Sequence, residues 1–89
     1  AADLLPLIAT DAATVPTVMV AEGDARPLVE RIGSLWASVR QEVARDRPEL
    51  LGDFDANVER IGRAVQFRRA ADADKAATNL SALVDAFLA

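Results

Sequence analysis

The segment "DARPLVERIGSLWASVRQEV", residues 24–43, places Leu28, Ile32, Leu35, Val39 and Val43 at spacings of 4, 3, 4 and 4. Only an α-helix gathers such a series onto one face, because a strand turns each alternate side chain away. Val29 and Trp36 widen the apolar stripe, and Arg26, Glu30, Arg40 and Arg45 fill the opposite side. Asp24 is expected as the N-cap, with Pro27 in the first turn, where its missing N–H does least harm. The helix should stop near Arg45, since Arg47 precedes a proline and is pushed out of the α region, and Asp46 should cap the next helix.

The same grammar continues downstream. Pro48 opens a second helix at its most tolerant position, with Glu49 near the positive end of the helix dipole. Leu51, Phe54, Val58, Ile61 and Val65 then recur at spacings of 3, 4, 3 and 4, as in helices packed side by side. Gly52 weakens the second turn without interrupting the stripe. A third helix is expected from about Asp72 or Asp74, with Ala73, Ala76, Ala77, Leu80, Leu83, Val84, Phe87 and Leu88 facing inward. Residues 1–23 are less regular. Asp3 can cap a short turn, and the β-branched run around Pro16 reads as a short helix over 14–22 begun by that proline, with Val15, Val18, Met19 and Leu5 or Ile8 completing the core.

The expected fold is therefore all-α: one domain over residues 1–89, a small antiparallel up-and-down helical bundle of three long helices plus a short N-terminal helical or irregular segment. The links around residues 46–48 and 70–73 are too short to return a helix parallel to its predecessor. Composition agrees. The chain is 52% apolar but only 4% aromatic and has no tyrosine, which suits closely packed helices better than a sheet sandwich.

One internal repeat stands out. "GDARPLVERIG", residues 23–33, returns as "GDFDANVERIG", residues 52–62, matching at seven of eleven positions. In each copy Val and Ile point inward, Glu and Arg outward, and a glycine comes next. Glycine inside a helix costs about 1 kcal/mol relative to alanine. Gly33 and Gly62 are thus expected either to admit a close neighbour or, the favoured reading, to reflect a duplicated hairpin element or chance within a restricted alphabet. There is no third copy, so the chain is not a solenoid.

The chemistry available is limited. Without histidine or cysteine there is no imidazole base, no thiolate and no ordinary zinc site, and the four glycines are too isolated to cradle a phosphate. No enzyme activity and no cofactor are expected, since acid/base work would rest on a carboxylate with a raised pKa. Ten basic against fourteen acidic residues, with no basic stripe, argue against nucleic acid. No apolar run is long enough to span a bilayer, so this segment is not expected to insert into a membrane. The metal candidates are carboxylates four apart on one helix, Glu49 with Asp53 and Asp55 with Glu59, beside Arg60 and Arg63; dipole complementarity and solvation explain the same residues. Asp72 and Asp74 read as N-caps. Trp36 reads as a core wedge, with a ligand platform as the alternative. Arg68 and Arg69 read as a pair closing a helix C-terminus, or as a site for an anion or an acidic partner, and Phe67 falls off the stripe and is expected to be exposed.

The run from "EGDARPLVERIGSLWASVRQEV" through "RPELLGDFDANVERIGRAV" to "ADADKAATNLSALVDAFL" resembles the extracytoplasmic helical segments found next to bacterial iron permeases and in related periplasmic iron-uptake proteins. The likeness is one of layout over about residues 22–88: a Pro-Glu-Leu turn between helices, then an Asp/Ala-rich entry into a last Leu/Val helix. The Arg-Glu-x-x-Glu of the permease helix is missing, because Arg40 is followed by "QEVA", so the resemblance assigns iron binding to no residue here. It implies an accessory role outside the cytoplasm; the alternative expectation is a carboxylate-based metal accessory domain of iron uptake, resting on the Glu49, Asp53, Asp55 and Glu59 candidates. The opening "AADLLPL" fits either a mature chain after signal removal or an excised fragment. The expected partner is another protein or a second copy of the chain in a homodimer.

Overall fold

The computed structural model describes residues 1–89 as four α-helices with no strand: α1 (Leu5–Val20), α2 (Arg26–Asp46), α3 (Pro48–Gln66) and α4 (Ala70–Leu88). Each helix packs on two neighbours, α1 and α3 both lying between α2 and α4, so the four surround one core in a molecule 38 Å long and 18 Å across. Along α2 the core takes Ile32, Trp36, Val39 and Val43; along α3, Phe54, Ile61 and Ala64; along α4, Ala73, Ala76, Ala77, Leu80 and Val84. Ile32, Ile61 and Leu80 are wholly inaccessible to water. The three alanines at the head of α4 leave room for a close approach, and the bulkier residues fill the other end.

The N-terminal segment corrects the expectation of three long helices. Residues 5–20 form a full fourth member of 16 residues, and Pro16 lies inside it instead of beginning it. A proline there removes the bond from residue 16 to the Ala12 carbonyl and should cost about 3 kcal/mol. Burial outweighs that loss. Leu5, Ile8, Ala12 and Val15 are all fully buried, with Val18 and Met19 packed beside them. Pro6, in the first turn, is where a helix accepts proline best.

The helix ends also differ from the expected caps. α2, α3 and α4 start from Ala25, Arg47 and Arg69, none with a side-chain cap. Asp24 instead sits one place earlier and accepts from the Arg26 N–H at 3.0 Å. Asp46 is held by Arg45 and does not cap α3. α4 begins before Asp72 and Asp74, leaving Asp72 in the first turn, where its charge meets the dipole. α1 and α3 both close with a residue in the left-handed region, Glu22 at φ 61° and Arg68 at φ 56°. The next N–H group in each turn reaches back into the helix it has left, Gly23 to the Val18 carbonyl at 2.9 Å and Arg69 to the Ala64 carbonyl at 2.8 Å.

The glycines separate by their surroundings. A Cβ on Gly23 would lie 2.9 Å from Val18 Cγ1, so a side chain there would force Val18 to shift. A Cβ on Gly33 or Gly52 would meet nothing within 4 Å, and one on Gly62 would touch Val29 Cγ1 at an ordinary 3.5 Å. Close helix approach therefore does not explain the glycines of the repeat. Gly33→Ala and Gly52→Ala are each expected to stabilise the fold by about 1 kcal/mol, raising the melting temperature by roughly 4–8 °C. Gly23→Ala should lower it. Thermal melts of the three variants, followed by circular dichroism, check this contrast.

Candidate functional site

Most charged side chains of this bundle are engaged in ion pairs. Asp11, on the buried stripe of α1, accepts both prongs of Arg31 from α2, Nε at 2.7 Å and Nη2 at 2.6 Å. Asp55 accepts the Trp36 indole N–H at 2.7 Å and two Arg40 bonds at 2.9 and 2.7 Å, tying α2 to α3. Trp36 is the core wedge of the two readings, only 5% exposed and stacked on Phe54 with ring centroids 4.9 Å apart. The Arg40 bonds hold the Asp55 carboxyl below its usual range, the indole N–H adds to them, and partial burial opposes both.

A carboxylate with a depressed folded pKa contributes stability above its unfolded value, about 3.9, and loses it as pH falls through the folded value. Acid titration monitored by urea unfolding should therefore erode the wild type below pH about 4 more steeply than Asp55→Asn. The difference will be small, because Arg40 and Asp55 are 48% and 39% exposed and solvent screens them.

The other carboxylates singled out as metal candidates belong to no group of three. Glu49 is bound by Arg47, and Glu59 by Arg63 at 2.5 Å. Asp53 makes no ion pair, and only its carbonyl is engaged, accepting from Asn57 at 2.9 Å. No three potential ligating side chains converge anywhere. Arg47 also donates to the Ala86 carbonyl at 2.8 Å, and Asn57 accepts from Asn79 at 3.0 Å, joining α3 to α4.

The unengaged cations are Arg60, Arg68 and Lys75, and two of these belong to one corner. There α3 ends, α4 begins, and a groove of about 470 Å³ opens between them beside Arg60, Arg63, Phe67, Arg69 and Asp72. Phe67 stands 58% exposed, with the Arg69 guanidinium carbon 6.0 Å from its ring centroid. Its exposure comes from the fold: it caps the end of α3 before the left-handed Arg68 turns the chain away. Arg69 is only loosely matched by Asp72, at 3.9 Å.

This corner carries four arginines, 60, 63, 68 and 69, against Glu59 and Asp72, while the remainder of the chain holds six basic and twelve acidic residues. It is the positive pole of an acidic protein. Off-stripe Phe67 and the Arg68–Arg69 pair were visible in the sequence; the groove and the solitary state of Arg60 were not. No helix is long and apolar enough to cross a membrane. Compared with known proteins, the chain matches no family model, no curated sequence and no solved structure.

Proposed function

We propose that the chain is a non-catalytic helical interaction or accessory module, working outside the cytoplasm, whose partner docks at the corner formed by the end of α3 and the start of α4. Its four helices run alternately up and down. Two contacts support that arrangement: the Ala1 nitrogen lies 2.9 Å from Glu42 near the end of α2, and Arg47 at the start of α3 reaches Ala86 near the end of α4. The accessory, extracytoplasmic role is supported by the resemblance to segments beside iron permeases.

The observation that carries the docking face is Phe67. A phenylalanine held in water beside a concave surface and stacked by an arginine has the make-up of an interface anchor, since aromatic and arginine residues dominate such contacts. The test is a photo-crosslinking phenylalanine analogue placed at Phe67, and for comparison at Ala37 on the outer face of α2, in cells that naturally make the protein. A discrete adduct from position 67 and none from position 37 is the expected result. Equal labelling at both positions, or none at 67, would sink the assignment. An adduct of twice the chain's mass identifies the partner as a second copy.

A further inference from the structure

The two copies of "VERIG" differ in what their arginine finds. In the first copy, Arg31 precedes the fully buried Ile32 and its two-pronged guanidinium closes on Asp11 of α1. In the second, Arg60 precedes the fully buried Ile61 and turns into the groove against α4. There α4 offers "AADADKAA" over residues 70–77, with Ala73, Ala76 and Ala77 buried. Asp72 is the one α4 carboxylate in the groove, and its ion pair is with Arg69. Arg60 thus repeats the placement of Arg31 without the acid that Arg31 holds.

We propose that the α3/α4 groove takes an acidic segment of a partner protein, one of whose carboxylates binds Arg60 as Asp11 binds Arg31, with an apolar side chain beside it covering Phe67. This rests on the docking face assigned above. A guanidinium presents its donors as a rigid planar fork that matches a carboxylate with two parallel bonds. Arg63 and Arg69 flank the same groove, and Arg68 stands next to them in the turn. The excess positive charge is confined to this corner. A nucleic acid or an anionic surface would extend onto the twelve acidic residues elsewhere and be repelled, whereas a short acidic segment covers the corner alone.

The test uses a fluorescent peptide of alternating Glu, Asp and Leu, its Gln/Asn/Leu counterpart, and inorganic phosphate as competitor, read by anisotropy at low salt where screening is weak. Wild-type protein should bind the acidic peptide and bind the amide peptide at least about tenfold more weakly. Arg60→Ala should weaken the acidic peptide about tenfold, Arg60→Lys should fall between, and Arg26→Ala, which lies outside the groove, should change binding less than about twofold. Circular dichroism melts confirm that each variant is folded. Equal binding by wild type and Arg60→Ala, equal binding of the amide peptide, no binding of the acidic peptide, or displacement by phosphate at the peptide's own concentration would overturn the assignment. So would a dimer in sedimentation that Arg60→Ala disperses, which gives the groove to a second copy. If crosslinking at Phe67 persists while the acidic peptide fails, the docking face stands and its acidic chemistry falls; silence in both experiments removes both.

Discussion

Phe54→Ala is expected to destabilise the fold by roughly 3–5 kcal/mol, the usual loss for truncating a large buried aromatic. Phe54 is the largest side chain wholly removed from water, and it stacks on Trp36 at an interplanar angle of 19°. Domains of this length have about 4–13 kcal/mol in all, so the variant loses roughly a quarter or more of its stability. Phe54→Leu, which keeps most of the volume, should cost about 1.5 kcal/mol or less. Urea unfolding of both variants supplies the comparison, and a loss below about 1 kcal/mol in the alanine variant would show that the aromatic pair is not the centre of the core. The stack is separable from simple burial. A double-mutant cycle with Trp36→Leu and Phe54→Leu should return a coupling of about 0.5–1.5 kcal/mol. Trp36 also ties this core to the surface through Asp55, so its substitution should weaken the α2–α3 seam beyond the loss of ring area.

The seam from Leu28 to Val65 was readable in the sequence because its period alone carries the information. Residues spaced three and four apart have one helical explanation, and Pro27 and Pro48 lie where a helix starts. The first helix was obscured by its own composition. Pro16, with Thr14, Val15, Thr17 and Val18 around it, argues locally against a helix, and Asp11 puts a charge among the apolar positions. Local propensity lost to burial there: Leu5, Ile8, Ala12 and Val15 recur at spacings of 3, 4 and 3, and covering them against α2 and α4 exceeds the cost of a proline. A carboxylate one position from such a stripe was the signal of a buried ion pair.

Ion pairing was legible only within a helix. Glu59 with Arg63 is implied by a spacing of four, whereas Asp55 with Trp36 and Arg40, or Asp11 with Arg31, depends on how adjacent helices are rotated about their axes. That rotation is set by the whole core, and no short stretch contains it. The candidate site shows the same division. Phe67 could be seen to leave the stripe, but that Arg60 faces a groove whose two acids, Glu59 and Asp72, pair with other arginines required the neighbouring helix to be in place.

Arg31→Met is expected to cost roughly 3 kcal/mol, although Arg31 itself is 63% exposed, because the loss falls on Asp11. The Asp11 side chain is 5% exposed and both its oxygens are bonded to Arg31. Removing the guanidinium strands a buried carboxylate; the exposed edge of the pair admits some water, which keeps the loss at the lower end of the range for broken buried pairs. Asp11→Ala leaves a solvated arginine and a small void, and should cost about 1 kcal/mol. Replacing both, Asp11→Leu with Arg31→Met, should return the fold to within about 1 kcal/mol of the wild type, since an apolar contact substitutes well for a buried ion pair. The order wild type and double variant first, Asp11→Ala next, Arg31→Met last is the result that urea unfolding must give. Equal losses in the two single variants would mean that Asp11 draws its solvation from elsewhere. The second copy of the repeat supplies the control. Arg60→Met changes the same residue of the same five-residue element, yet with no buried acid to strand it should alter stability by less than about 0.5 kcal/mol. One substitution at two equivalent places thus separates an arginine that holds the fold from one that makes no ion pair within it.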